Sequence, residues 1–220
     1  MPLSTPRCLI CRERGHNGAD MCASCTKQLP WNLTSCLRCG LPMAANGECG
    51  ECLRRPPALT QTRAVFVYGF PLDRLVPRFK FHRDLAAGRL MAELMAGPLA
   101  SAPRPDAIVP VALHPHRIRQ RGYDQALELA RPLAAALALP LRPDLLHRVR
   151  ATAPQSELDA GQRQRNVARA FRVVPQAALP GHVALVDDVM TTGATLQAAA
   201  RALLGAGVRR VDAWVCARVP

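Results

Sequence analysis

Lysine is nearly absent from these 220 residues: it occurs only at positions 27 and 80, so almost all of the 29 basic side chains are arginine. A G+C-rich coding bias accounts for arginine in place of lysine, together with abundant alanine and proline. It does not account for the formal net charge of +13, which points to polyanionic partners, either nucleic acid or phosphate-rich ligands. Aromatic residues make up only 4% of the chain, so each is in demand for the core before it is free to stack on a ligand. No apolar run reaches the ~18 residues of a membrane span, and the start lacks the apolar core of a secretory signal. A cytoplasmic protein without membrane insertion is expected. Glycine is scarce where nucleotide loops need it. No Gly-Lys-Ser/Thr follows the loop at Gly193, which excludes a P-loop, and Gly193 has no companions at dinucleotide-fingerprint spacing.

Against these absences stands one dense stretch, Val183 to Thr195 (V-A-L-V-D-D-V-M-T-T-G-A-T). Four apolar residues run into Asp187 and Asp188, then into a loop of hydroxyls and one glycine that opens an alanine-rich helix. In parallel sheets ligands bind beyond the carboxyl ends of strands, where a helix N-terminus offers unpaired N–H groups to an anion. Met190, Thr191, Thr192, Gly193, Ala194 and Thr195 are therefore expected to cradle a phosphate. The paired carboxylates would repel a bare phosphate. They need a sugar whose adjacent hydroxyls donate to them, or a divalent cation bridging them to the ligand. A phosphorylated ribose satisfies both halves of the motif. The competing explanation is an ordinary buried strand ending in a capped helix.

Eight of the nine cysteines form four C-x-x-C pairs, Cys8/Cys11, Cys22/Cys25, Cys36/Cys39 and Cys49/Cys52, leaving Cys216 alone. Two residues between thiolates let one turn aim both sulfurs at a tetrahedral metal, so four pairs supply two closed zinc sites. Similar spacing within each half favours sequential pairing into two ribbons, with cross-bracing as the alternative. Regular C-x-x-C pairs in a cytosolic chain argue against disulfides. Residues 1–55 carry seven basic and four acidic side chains, a net of +3. Each four-thiolate zinc site contributes −2, leaving the module near −1. Residues 56–220 hold 22 basic and 12 acidic side chains, a net of +10. The polyanion-binding surface is thus expected on the larger unit, with the ribbons as a folding or docking element that could hardly fold without metal.

After the Arg54–Pro57 joint, strands are expected at 65–70, 107–111, 145–149, 171–174, 183–186 and 208–218. Helices are expected at 85–99 and 121–139. This alternation implies an α/β fold, a mostly parallel sheet flanked by helices. The segment Pro110 to Gln125 reads as a proline-broken loop in which Arg117, Arg119 and Arg121 could meet an anionic ligand's charge and Gly122 permits close approach. His114 and His116 read equally well as surface residues. The polar stretch 150–171, with Thr152, Gln155, Arg163, Arg165 and Asn166, reads as a lid or as a solvated loop. Phe79-Lys80-Phe81-His82-Arg83, with Tyr123 beside Arg121, interleaves base and aromatic as single-strand binders do, although core packing competes for those rings.

The Asp187–Thr195 stretch resembles the signature of type I phosphoribosyltransferases. Taken with the four cysteine pairs, R-F-K-F-H-R at Arg78 to Arg83, R-Q-R-G-Y-D-Q at Arg119 to Gln125, and P-Q-S-E-L followed by R-Q-R-N-V-A-R-A-F, the whole chain resembles the ComF family of competence-associated proteins. The resemblance implies a double zinc ribbon over residues 1–55 and a type I phosphoribosyltransferase-type domain over 56–220. It further implies an acidic pair holding the ribose hydroxyls of phosphoribosyl diphosphate, Mg²⁺ on the diphosphate, and arginines 119 and 121 with Gly122 at the leaving group. Single-stranded DNA handled during natural transformation, and competence-machinery proteins, are the partners it implies. Transfer of ribose 5-phosphate to a nucleobase is the alternative activity. One departure stands out. Family members carry Arg-Gly-Phe-Asn-Gln where this chain has Arg121-Gly122-Tyr123-Asp124-Gln125. A carboxylate there weakens diphosphate binding if the amide contacts it, and not if the amide only orients Arg121.

Overall fold

The computed structural model describes residues 6–150, 170–175 and 178–220. Two short helices, α1 (Ala23–Lys27) and α2 (Gly50–Arg54), belong to the cysteine-rich segment. The remainder runs β1 (Gln61–Val67), α3 (Leu72–Phe81), α4 (Leu85–Ala100), β2 (Ala107–Pro110), α5 (Pro115–Arg121), α6 (Gln125–Ala136), β3 (Leu146–Arg148), β4 (Phe171–Val173), β5 (His182–Met190), α7 (Ala194–Gly205) and β6 (Arg210–Arg218). Among the described residues no helix is long and apolar enough to cross a membrane.

Four strands form one parallel sheet in the order β1-β6-β5-β2. The two central strands read as continuous apolar runs, as parallel strands covered on both faces must. Val183, Ala184, Leu185 and Val186 of β5, and Val211, Ala213, Val215 and Cys216 of β6, are all fully buried. Helices α3, α4 and α6 cover one face with Leu75, Phe79, Leu90, Met95, Leu129 and Leu133. The other face takes α7 through Leu196, Ala199 and Leu203. Gly88 of α4 makes the first of these layers possible. A Cβ there would lie 2.4 Å from the Phe79 ring, so only glycine lets α3 lie this close to α4.

Several expectations are corrected. The strands near 145–149 and 171–174 are β3 and β4, which pair antiparallel with each other outside the main sheet. The long helix expected from Arg121 is broken. Gly122 closes α5 in the left-handed conformation, at φ 88°, and Asp124 caps a separate α6. The loop expected around the prolines is helical, because Pro115 occupies the first turn of α5, where its missing N–H costs nothing. The stretch 151–169, with Thr152, Gln155, Arg163, Arg165 and Asn166, lies outside the described residues.

The cysteine-rich segment is built into the core. Cys8, Met21, Cys22, Cys25 and Leu29 belong to the same apolar cluster as α3 and α4. Trp31 packs on Phe66 with ring centroids 4.7 Å apart. The backbone beside it completes the outer edge of β1: Asn32 N–H donates to the Val65 carbonyl and Val67 N–H to the Pro30 carbonyl, at 2.9 and 2.8 Å. This covers an otherwise open strand edge. Arg78 of α3 reaches the Leu9 carbonyl at 2.6 Å, and Arg218 at the end of β6 reaches the Cys39 carbonyl at 3.1 Å.

Candidate functional site

A cavity of about 430 Å³ opens at the carboxyl end of the sheet, over β5 and the loop that follows β2. It lies where successive connections depart in opposite directions, the position at which open parallel sheets bind ligands. Strand β5 extends to Met190, so Asp187 and Asp188 sit within the strand, with Asp187 opposite Val215 of β6. Adjacent strand residues leave on opposite faces. Asp188 emerges toward α3, 4% exposed, and its Oδ1 accepts Lys80 Nζ at 3.0 Å. Its Oδ2 is buried with no hydrogen-bond partner.

Burial and the neighbouring Asp188 charge push the Asp187 carboxyl up to about 8, with Lys80 opposing the rise. Lys80 is held above its ordinary value: burial works against its charge, but the attraction of Asp188 and Asp187 prevails. Lys80 thus removes the conflict that two carboxylates create beside an anion site. Its sequence signal was its rarity. In a chain where arginine has displaced nearly every lysine, Lys80 stands out, because a compact ammonium differs from a planar fork.

Beyond β5, Thr191 and Thr192 are exposed and Gly193, at φ 74°, caps α7. A Cβ on Gly193 would meet Met190 Cε at 2.3 Å. Met190 is only 3% exposed and underlies the turn. The turn with Ala194 and Thr195 forms one cavity wall. Thr192 Oγ1 accepts the Ala194 N–H at 3.4 Å. The 12-residue α7 then directs its unpaired N–H groups and positive dipole end at the cavity.

The opposite wall is basic. Arg117 and Arg121, one turn apart on α5, line the cavity with Lys80 and Arg148, giving four cations to two carboxylates. Arg121 is fixed by Gln125, whose Oε1 accepts from its guanidinium at 2.8 Å. Arg119 points to the exposed side of α5 and Gly122 serves as its cap, so neither lies on the cavity wall. His114 is a cap as well, its Nδ1 accepting from His116 N–H at 3.2 Å, and His116 is exposed. Among the wall residues, Arg148, Val111 and Leu113 had no ligand role in the sequence reading, whereas Lys80 and Phe81 were read within a possible single-strand-binding stretch. Phe79 is fully buried and packs on Tyr123, with centroids 5.7 Å apart, whereas Phe81 is exposed.

Asp124 takes no part in the cavity wall. Its two oxygens accept two backbone N–H groups, Leu127 at 3.2 Å to cap α6 and Leu113 at 2.9 Å to anchor the loop after β2. A carboxylate offers an acceptor to each, whereas an amide presents only one oxygen. Burial raises the Asp124 carboxyl despite these bonds.

The cysteines assemble sequentially. Cys8, Cys11, Cys22 and Cys25 form one cluster and Cys36, Cys39, Cys49 and Cys52 the other, with all sulfurs of a cluster within 4.8 Å of one another. Cys11 and Cys22 sulfurs are 3.5 Å apart, and those of Cys39 and Cys49 3.7 Å. Tetrahedral zinc with bonds of about 2.3 Å requires sulfurs about 3.8 Å apart, so both clusters fit structural zinc. Backbone N–H groups of Cys25 and Cys49 donate to the Cys22 and Cys36 sulfurs at 3.4 and 3.3 Å.

A pair of zinc ribbons fused to a parallel α/β core, with a cation-walled cavity over an acidic strand end, defines the class. Residues 3–53 match the family model described as double zinc ribbon domain. The DNA utilization protein YhgH of Salmonella typhi is 37% identical, with 96% of each chain covered. Competence protein F of Haemophilus influenzae is 35% identical, again with 96% of each covered. The chain belongs to the ComF family. The crystal structure of orotate phosphoribosyltransferase from Aeropyrum pernix aligns over 61% of this chain and 60% of its own, at 22% identity and a TM-score of 0.36. That superposition is too loose to carry residue roles.

Metal analysis of freshly purified, reduced protein is expected to return about two zinc ions per chain, and chelation to lower the melting temperature; a value near zero would refute the ribbon assignment. The acidic pair generates a pH effect. The native Asp187 carboxyl keeps its proton to about pH 8, against an ordinary value of 3.8. Its contribution to stability is therefore complete below pH 3.8 and lost as pH rises through that window. Asp187→Asn is expected to raise the melting temperature relative to the parent progressively more from pH 5 to pH 8, and a constant difference across that range would contradict the assignment.

Proposed function

We propose that this chain is a ComF-type protein that binds phosphoribosyl diphosphate in the cavity over β5 and acts in handling single-stranded DNA during natural transformation. The observation that carries the reading is the carboxylate pair set beneath the start of α7. Asp188 presents a buried Oδ2 that the described residues leave without a hydrogen-bond partner. A ribose diol supplies two hydroxyl donors to such a pair. Its 5′-phosphate then reaches the N–H groups and hydroxyls of Thr191, Thr192, Gly193, Ala194 and Thr195. The volume of about 430 Å³ falls within the range of small-ligand pockets.

Arg117 and Arg121 face the space left for the diphosphate, with Arg119 and Gly122 behind them on the same turn. The hard oxygens of Asp187 and Asp188 are the donor type that Mg²⁺ accepts, and with diphosphate Mg²⁺ would neutralise charge on the leaving group. Lys80 pairs with Asp188 at 3.0 Å and the arginines oppose negative charge. The net +10 of residues 56–220 supplies the long-range attraction for a polyanion. Residues 1–55 act as the metal-stabilised docking unit, near neutral once loaded, and residues 56–220 as the ligand-binding unit. The names DNA utilization protein and competence protein belong to relatives aligned over 96% of this chain, and they favour the DNA role over a purely metabolic one. Such a protein works in the cytoplasm, alongside other competence proteins.

The second reading is an active phosphoribosyltransferase that moves ribose 5-phosphate to a nucleobase. It is favoured by the cations opposite the acidic pair, which suit a transition state that loses diphosphate. Diphosphate release in the presence of a nucleobase would separate the two. Calorimetry with phosphoribosyl diphosphate and Mg²⁺ tests the site itself: Asp187→Asn combined with Asp188→Asn is expected to abolish binding, and unchanged affinity would refute it. The DNA role requires that log affinity for single-stranded DNA fall steeply with log salt concentration; a flat response would remove its electrostatic basis.

A further inference from the structure

The two four-sulfur clusters are not equally protected. Of the nine cysteines Cys11 alone is exposed. Cys8, Cys22 and Cys25 beside it are buried, and in the second cluster Cys36 and Cys52 are buried while Cys39 and Cys49 are only partly open. Cys11 ends the first C-x-x-C turn, and two exposed arginines, Arg12 and Arg14, follow it. Zinc holds a coordinating thiol deprotonated, so an exposed zinc thiolate is a ready nucleophile, whereas a buried one is inert. The Cys22 sulfur lies 3.5 Å from that of Cys11, close enough to resolve an oxidised neighbour.

The first cluster also carries a load that reaches the cavity. Leu9 and Ile10, the two residues between Cys8 and Cys11, pack against the apolar core around Phe79 of α3. The Leu9 carbonyl accepts from Arg78 of α3 at 2.6 Å, and Asp20 pairs with Arg89 of α4 at 2.7 Å. Arg78 pairs in turn with Asp84, the cap of α4, at 2.6 Å. Lys80 lies two residues beyond Arg78 on the same helix and lines the cavity. Order in the turn that ends at Cys11 is thereby passed to α3.

We propose that Cys11 is an oxidation site, at which a hydroperoxide discharges the first zinc and loosens α3 while the second zinc stays bound. The Cys11 thiolate sulfur attacks one peroxide oxygen and the O–O bond breaks. The sulfur is oxidised to a sulfenic acid, and the other oxygen leaves with the electron pair as hydroxide or alkoxide. The Cys22 thiolate then attacks the Cys11 sulfur, forming the S–S bond and expelling hydroxide. One peroxide is reduced and two thiolates are consumed. Zinc keeps its charge throughout and, left with Cys8 and Cys25, loses its closed four-ligand site and dissociates. A small thiol reduces the disulfide and permits reloading.

The experiment exposes the full zinc-loaded chain to equimolar hydrogen peroxide. Zinc is followed with a chromogenic chelator, the cysteines by mass spectrometry of alkylated peptides, and α3 by backbone hydrogen exchange. The parent is expected to lose about one of its two zinc ions, to gain a Cys11–Cys22 disulfide, and to exchange its α3 amides faster. A reducing thiol with added zinc reverses all three. Cys11→His keeps four ligands, since imidazole completes three-cysteine zinc sites, and is expected to retain both ions. Cys39→His, the matching change in the second cluster, is expected to lose one ion as the parent does. Equal loss from both clusters, oxidation that begins at another cysteine, or release from Cys11→His at the parent's rate would overturn the site. Loss of the first zinc with unchanged α3 exchange would overturn the link to α3. Should Cys11→His fail to load with zinc, peptide mapping of the parent and Cys39→His decides: first oxidation at Cys11 in both supports the site, and first oxidation elsewhere overturns it.

Discussion

The ion pair between Lys80 and Asp188, 3.0 Å long and largely withdrawn from water, is the interaction on which the candidate site depends. Two adjacent carboxylates at the end of a buried strand would otherwise repel each other and be driven to hold protons. They also sit beside a helix start and three arginines that attract anions. A single ammonium from another element reconciles these demands. It pairs with Asp188, moderates the rise at Asp187, and joins α3 to the sheet at the point where the cavity opens.

The rest of the architecture serves that placement. Gly88 lets Phe79 bring α3 close to α4, which sets the depth at which Lys80 enters. The first zinc ribbon reinforces the same helix from outside, through Arg78 and the Leu9 carbonyl and through the shared cluster around Met21 and Leu29. The second ribbon meets the end of β6 through Arg218 and Cys39. The metal sites thus stand behind both sides of the cavity, although no cysteine of either cluster lines it. A module this small gains its order from metal, and here that order extends into the neighbouring core.

Much of this was legible in the sequence because it depends on local pattern. The C-x-x-C spacing pointed to two four-sulfur clusters and favoured the sequential order that the structure shows. The run from Val183 to Thr195 gave a strand, an acidic pair, a turn and a helix start, since apolar continuity and glycine are local signals. Other features depend on contacts between elements. Pro77 and the charged residues around it disguised α3, whose helix survives because Leu72, Leu75, Val76 and Phe79 bury one face. Pro115 read as a breaker and proved an initiator. The sequence left Asp124 open between a diphosphate contact and a role in orienting Arg121, and its two-fold acceptance of Leu113 and Leu127 could be seen only with the loop after β2 in place. Lys80 is the clearest case: its scarcity was visible, and its partner, more than a hundred residues away in the chain, was not.

The most direct test is a titration of the aspartate carboxyls by carbon NMR in the parent and in Lys80→Met. Even at an effective dielectric constant of about 20, opposite charges this close attract by several kcal/mol. Loss of the ammonium should therefore raise the titration of Asp187 by about one pH unit or more. Identical Asp187 titrations in the two proteins would contradict the claim that Lys80 opposes the rise at Asp187.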